Sequence, residues 1–304
     1  MPLLDKHIKV VYNNDNQSTH VCGGEKMPKV SIISGAYNLS ACYSFDKSIS
    51  SILEQTFSDF EFIICDDGSQ DNTYELLCAY AEKDARIKLI RNESNMGLAA
   101  SLNRCIAEAK GEYIARHDCD DYAAPDRLEK QVEYLDSHSE ISVLGTNAYL
   151  FDENGVWGEM HFPVEISKKD FLFCSPHQHG SVVFRKEVLE KANGYRVAKE
   201  TRRTEDYDLF MRIHLFAKSA NLPELLYYFC EDKNTLARRK YRYRIDEAKV
   251  RYKGFKQLGL LPGGFFYVIK PLIVGLIPAK LLAWLKNKFL KRKKQQTNKE
   301  KDKL

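Results

Sequence analysis

Four carboxylates, Asp67, Asp118, Asp120 and Asp121, fall in two short loops, each placed directly behind a run of apolar residues. Such a concentration of negative charge on one rim is costly unless a cation or solvent offsets it. A hard divalent ion, Mg²⁺ or Mn²⁺, is the natural partner. It takes one or two carboxylates, completes its shell with phosphate oxygens, and stabilises a departing diphosphate as a Lewis acid. A lone D-x-D is more often a solvated acidic loop, but its position behind a buried strand favours the metal. Further along, Thr204-Glu205-Asp206 precedes an amphipathic helix. Either acid there could cap the helix, or act as a general base once a cleft excludes water.

Short β-branched or apolar runs at 30–34, 60–65, 87–90 and 112–115 predict strands, the first two of them buried. Helical spacing between them predicts helices around Ile49, Ile52, Leu53 and Phe57, over 72–82 and over 98–109. Helix alternating with strand implies an α/β fold with a mainly parallel sheet, helices on both faces, and ligands bound beyond the carboxyl ends of the strands. Both acidic loops, Asp66-Asp67-Gly68-Ser69 and 118–121, fall at such ends. The second half is more mixed. Pro125 opens a helix over 126–135, 141–151 reads as a strand entering a hairpin at Asp152-Glu153-Asn154-Gly155, 181–184 as a strand, and 186–192 and 206–216 as helices.

With 304 residues, 44% hydrophobic and 29% charged, the chain can build a sizeable core with an appendage. Its basicity is local. Residues 286–304 hold nine Lys and Arg against two acids, so the formal net charge of +4 becomes −3 for the remainder. No nucleic-acid motif accompanies this tail, so an anionic membrane surface is the expected partner and nucleic acid is not. Eight cysteines without a C-x-x-C pair fit reduced thiols on a cytosolic face. Residues 263–285 are apolar, but Lys270, Pro271, Pro278 and Lys280 interrupt the ~20-residue span that crossing a bilayer needs. Interfacial helices are expected, with a hairpin packed on the domain as the alternative. The organisation expected is a loose leader over 1–27, a catalytic domain over 28–232 with halves 28–121 and 122–232, a helical membrane-interface appendage over 233–294 opening with a charged helix over 238–256, and a disordered basic tail over 295–304.

Taken in order, the segments VSIISGAYN (30–38), DDGS (66–69), NMG (95–97), GEYIARHDCDD (111–121), PDRLEKQ (125–131), HGSVVF (179–184) and TEDYDLFMR (204–212) are specific. Through them, residues 28 to 232 resemble the family 2 glycosyltransferases of GT-A fold, of the bacterial capsule, lipopolysaccharide or cell-wall type. The resemblance implies that Tyr37 stacks on the nucleobase and that Asp66 or Asp67 accepts a hydrogen bond from uracil or ribose. Asn95, with Gly97, would shape the loop beneath the donor, Asp118 would face the ribose and donor sugar, and Asp120 would ligate Mn²⁺ or Mg²⁺ on the diphosphate. His179 would touch the diphosphate or acceptor, and Asp121 would brace the loop. Asp206 is favoured as the base over Glu205, which would neighbour the acceptor or the base. Arg127 reads as structural, and His177 has no support from the pattern. A UDP-sugar donor, a glycan or lipid-linked acceptor, inversion at the anomeric carbon, and a cytoplasmic site on the inner membrane face follow from the same resemblance. The competing readings are a nucleotidyltransferase of related fold, whose Gly-rich basic loop is not found after the first strand, and a catalytically silent membrane scaffold. A dinucleotide oxidoreductase would need a G-x-G-x-x-G that the chain lacks.

Overall fold

The computed structural model describes residues 11–12, 18–19, 27–231, 241–277 and 281. Within the leader, β1 (Val11–Tyr12) and β2 (Ser18–Thr19) pair antiparallel. The rest of residues 1–26, the stretch 282–294 and the basic tail 295–304 lie outside the described residues. The main sheet begins with β3 (Val30–Ala36), followed by α1 (Phe45–Leu53), β4 (Phe60–Asp66), α2 (Thr73–Ala81), β5 (Ile87–Arg91), α3 (Leu98–Glu108) and β6 (Tyr113–Arg116). Then come β7 (Tyr122–Ala123), α4 (Arg127–Ser137), β8 (Ile141–Asp152), β9 (Gly155–Met160), β10 (Val183–Arg185), α5 (Lys186–Lys191), α6 (Glu205–Ile213) and β11 (Lys218–Cys230). Helices α7 (Tyr241–Leu258) and α8 (Phe265–Gly275) close the described chain.

Strand order is β5-β4-β3-β6-β10-β8-β11-β7, with β9 paired to β8. The four strands from β5 to β6 are parallel, as the alternation of helix and strand predicts. Beyond β6 the expected mainly parallel sheet becomes mixed. Strand β10 runs antiparallel to both β6 and β8, β11 parallel to β8, and β7 antiparallel to β11. The reason is local: β6 leads into the acidic loop and not into a crossover helix, so the next strand is free to enter in the other direction.

Alternation along the central strands sends Ile33 and Ile63 to one face and Ile32, Phe62 and Ile64 to the other, each fully buried. On the first face Leu102, Ile114, Phe184 and Phe210 join them. On the second, Ile49, Leu128 and Leu144 do. Val250, Phe255 and Leu258 of α7 and Val268 of α8 belong to the first cluster, so the C-terminal hairpin packs on the domain. Each such side chain contributes roughly 1.5–3 kcal/mol when fully buried. The opposite side of α8 keeps Phe265, Phe266 and Ile273 exposed, with Leu276 just beyond its end. Gly275 is required by close approach: a Cβ there would stand 2.9 Å from Arg244 Cγ and 3.0 Å from the Tyr241 ring. No described helix is long and apolar enough to cross a membrane.

Candidate active site

The loop after β4 is a brace. Asp67 is buried, and its Oδ1 accepts from Asn92 Nδ2 at 2.7 Å and the Met96 N–H at 2.8 Å, while Oδ2 accepts from the Gly97 N–H at 2.8 Å. These bonds fix the turn that carries Asn95, and Gly97 sits at φ +91, where a side chain is strained. Asp66 differs. Its Oδ2 accepts weakly from the Ser69 N–H at 3.3 Å and pairs with Arg91 at 3.3 Å, but its buried Oδ1 has no partner. Of the two aspartates left open by the sequence, Asp66 has an acceptor oxygen to spare.

The loop after β6 is tied down through its backbone, leaving its carboxylates to face one another. Ser44 donates to the Asp120 carbonyl at 2.6 Å, Ser48 donates to the Asp118 carbonyl at 3.1 Å, and the Asp118 N–H donates to the Tyr227 hydroxyl at 3.1 Å. Asp121 is buried and its Oδ1 accepts from the Cys230 N–H at 2.7 Å, the bracing geometry expected of it; its Oδ2 has no partner. Burial first, and then the charge of Asp118, push the Asp120 carboxyl up to about 6. Burial and the same neighbours raise Asp121 further above the ordinary carboxylate range. Among the described residues no three or more His, Cys, Asp or Glu side chains converge as a ready-made metal cage. The oxygen donors present, only partly compensated and half withdrawn from water, suit a divalent ion that takes one or two carboxylates and completes its shell with phosphate and water.

Beneath this loop lies a residue that the sequence reading passed over. Arg116 is fully buried, and its Nη2 donates to Asp118 Oδ1. Burial is the largest influence and lowers its pKa, but Asp118 together with Tyr195, Tyr227 and Cys119 raises it on balance. An arginine at the end of an otherwise apolar strand, two residues before an aspartate, was the available signal. Its charge also reaches His179, which burial and Arg116 together hold neutral well below the usual imidazole value. His179 Nε2 bonds the Tyr195 hydroxyl at 2.8 Å. His177 is a packed residue, bonded through Nδ1 to Asn221 Oδ1 at 2.7 Å and depressed to about 4 by burial. Arg127 is equally structural: it is fully buried and donates to the Gly180 carbonyl at 3.0 Å and to that of Arg116 at 3.2 Å.

Helix α6 begins at Glu205, one residue earlier than the spacing predicts, with Thr204 at the N-cap. Neither acid therefore occupies the cap. Burial, and then the charge of Glu205, raise the Asp206 carboxyl to about 7, opposed by the Tyr207 and Asp206 N–H groups of the helix start. Burial raises Glu205 as well. Asp118 adds to the rise at Asp206, so the base candidate and the D-x-D loop share one field.

A cleft of about 990 Å³ opens between these elements. Tyr37, Asp67, Asn95 and Glu205 line it, whereas Asp66, Asp118, Asp120, His179 and Asp206 stand outside its lining. Tyr37 is 43% exposed there and so is not a core aromatic. Three residues of α7, Arg242, Tyr243 and Asp246, also line the cleft. Nothing in the local sequence announces this, because a tertiary contact brings α7 to the site.

Comparison with known proteins follows the same lines. Residues 31–193 match Glycosyl transferase family 2. A protein of Bacillus subtilis (strain 168) named as a glycosyltransferase, EpsE, is 40% identical over 84% of this chain and 92% of its own. The Escherichia coli UDP-Glc:α-D-GlcNAc-diphosphoundecaprenol β-1,3-glucosyltransferase WfgD is 30% identical over 75% of this chain and 82% of its own. The crystal structure of S. aureus TarS 1-349 in complex with UDP-GlcNAc covers 78% of this chain and 72% of that chain at a TM-score of 0.62 and 19% identity, a likeness of fold.

Proposed function

The chain belongs to the family 2 glycosyltransferases, and from that premise we propose that it moves a sugar from a UDP-sugar to a hydroxyl of a lipid-linked or glycan acceptor, with inversion, in surface polysaccharide biosynthesis. What carries this reading is the carboxyl of Asp206, poised at about 7 in the first turn of α6 and within the field of the D-x-D loop. A general base works best with a pKa near the operating pH. The donor and acceptor named for the Escherichia coli relative, and the UDP-GlcNAc in the S. aureus structure, support the choice of substrates.

In this mechanism Tyr37 stacks on the base and the spare oxygen of Asp66 receives a uracil or ribose hydrogen bond. Asp67 holds the Asn95 turn in shape below the donor. Asp118, anchored by Arg116, faces the ribose and donor sugar, and Asp120 would hold Mn²⁺ or Mg²⁺, which when bound neutralises the leaving diphosphate. Asp206 takes the proton of the acceptor hydroxyl while that oxygen forms its bond to the anomeric carbon and the carbon–phosphate oxygen bond breaks on the opposite side. Glu205 lies beside the acceptor, and the neutral His179 offers a contact to the diphosphate. Screening the purified chain for hydrolysis of a nucleotide-sugar panel, with and without Mn²⁺, tests the reading: a UDP-sugar should be cleaved in the presence of metal. Hydrolysis of no member of the panel would end it.

The chain is further proposed to sit on the cytoplasmic membrane face. Exposed Phe265, Phe266 and Ile273 offer an apolar surface, and Lys291-Arg292-Lys293-Lys294 follow in the sequence. Because Val268 packs into the core, removing α8 would damage the domain, so Phe266→Asp with Ile273→Asp is the cleaner probe. Flotation with anionic liposomes should be lost in that variant. Unchanged flotation removes α8 as the attachment.

A further inference from the structure

The D-x-D loop runs between β6 and the very short β7, and a strand far along the chain holds both of its ends. Strand β7 is two residues long and pairs antiparallel with Tyr227 and Tyr228 of β11. At the end of β11 the Cys230 N–H donates to Asp121 Oδ1 at 2.7 Å. At the other end of the loop, the Asp118 N–H donates to the Tyr227 hydroxyl at 3.1 Å. Ser44 and Ser48 hold carbonyls of the same loop, and Arg116 holds the Asp118 side chain. Tyr227 is what meets the Asp118 backbone from its N–H side.

Several features place that hydroxyl. The register of β11 on β8 shifts between Leu225 and Tyr227, an irregularity of the kind that re-aims a side chain beside an active site. The Tyr227 ring is fully buried, edge-on to His117 at 5.9 Å between centroids, with the Arg127 guanidinium 5.4 Å from its centroid. Gly180 leaves the room, since a Cβ there would run into both the hydroxyl and the ring. A buried hydroxyl also needs an acceptor for its own hydrogen. The acceptor on offer is the Asp121 carboxyl, where Tyr227 offsets part of the burial, although no bond of ordinary length reaches Oδ2. One hydroxyl therefore stands between the first residue of the D-x-D and the aspartate that follows its last.

We propose that Tyr227 is a positioning residue for the metal-binding loop: its hydroxyl fixes the Asp118 backbone, and with it the direction in which the loop presents Asp120, without touching substrate or ion. The proposal rests on the reading of Asp120 as metal ligand. Tyr227→Phe keeps the ring but leaves the Asp118 N–H buried without a partner, so the loop must move to find one. Calorimetry of UDP on the full chain, over a Mn²⁺ series and in chelator, reads the consequence. The Mn²⁺ needed for half-maximal UDP binding should rise about tenfold, as loss of an outer-shell partner commonly causes, while UDP affinity in chelator stays put. Hydrogen exchange, which needs no ligand, should quicken over residues 117–123 and nowhere else. Gly180→Ala, which displaces the same hydroxyl, should reproduce both changes, and adding Tyr227→Phe to it should make neither worse. If Gly180→Ala does not fold, Tyr227→Phe decides alone. Tyr228→Phe removes a hydroxyl from the neighbouring residue, whose ring stacks on Tyr122 and Tyr149, and should alter neither readout. Unchanged Mn²⁺ dependence with unchanged exchange in Tyr227→Phe would overturn the proposal. So would faster exchange throughout the chain with UDP affinity falling equally with and without metal, the mark of general loosening. A wild type whose UDP binding ignores Mn²⁺ would remove the metal reading instead, and the exchange over 117–123 would still decide whether Tyr227 holds the loop.

Discussion

The loops after β4 and β6 flank the same strand, β3, and each presents adjacent aspartates at a carboxyl end. They differ in their supply of donors. Around Asp67, three N–H groups close both oxygens and the carboxylate becomes a strut for the turn at Asn95. Around Asp118 and Asp120 the hydroxyls of Ser44 and Ser48 bond the backbone instead, and the buried Arg116 sets a full charge against Asp118. Burial then raises Asp120 and Asp121, as it does any carboxyl left without enough donors. Carboxylate chemistry is thus decided less by the acids than by where the neighbouring N–H groups point.

The comparison breaks most visibly at Asp120. Asp120→Ala should cut transfer by roughly a thousandfold, the loss of several kcal/mol of charge stabilisation at the diphosphate. It should also erase the Mn²⁺ dependence of UDP binding in calorimetry, with no fall in Tm. Metal-dependent affinity that survives the substitution would mean that the loop is merely a solvated acidic turn.

Next in size is Asp206. Because its carboxyl is raised to about 7, the proton-accepting form predominates only above that pH. Transfer should therefore fall about tenfold for each pH unit below 7 and level off above it. Asp206→Asn should lower kcat by about 10²–10⁴-fold, flatten that profile, and leave donor KM in place. The same shift means that ionisation opposes folding between the ordinary value of 3.8 and about 7, so the variant should not lose Tm at pH 8. If Glu205→Gln flattens the profile and Asp206→Asn does not, the two roles are exchanged.

The smallest effect on turnover should come from the strut. Asp67→Ala orphans three N–H donors and should cost ~3 kcal/mol of stability by chemical denaturation, while weakening UDP only about tenfold through the slackened Asn95 turn. Loss of transfer as severe as at Asp120, without loss of stability, would erase the distinction between the loops. Asp66→Asn should behave in the opposite sense, lowering UDP affinity with little change in stability.

Much of this was legible in the chain. The runs at 30–34, 60–65, 87–90 and 112–115 became β3, β4, β5 and β6 within two residues at each end, because short apolar runs bounded by turns pair as strands, fully buried in β3, β4 and β6 and half-buried in β5 at the sheet edge. The hairpin at Asp152 to Gly155 likewise formed between β8 and β9. Strand β11 was missed. Pro223 and Glu224 interrupt its apolar pattern at the place where its register on β8 shifts, and Pro223 is tolerated there because the ladder is already broken. The segment read as a strand over 181–184 divides into a 3-10 turn at His179–Ser181 and β10, which is how His179 comes to face Tyr195. Motif order identified the D-x-D and Thr204-Glu205-Asp206, but not which of Asp66 and Asp67 is spent on its neighbours. That depends on N–H groups nearly thirty residues away. Arg116 and Arg242 were overlooked for the same reason, since their partners are set by the fold.

The tight seat of Gly275 against Tyr241 and Arg244 bears on how this enzyme can be recombined with its relatives. A chimaera cut at the start of α8, treating the C-terminus as an interchangeable anchor, would set a foreign surface against the turn of α7 that lines the cleft. A single methyl at 275 would already require the Arg244 and Tyr241 side chains to shift. Grafts should carry α7 and α8 together, with the junction in the 232–240 stretch before α7, so that whatever attaches the donor's tail arrives with its own half of the entrance.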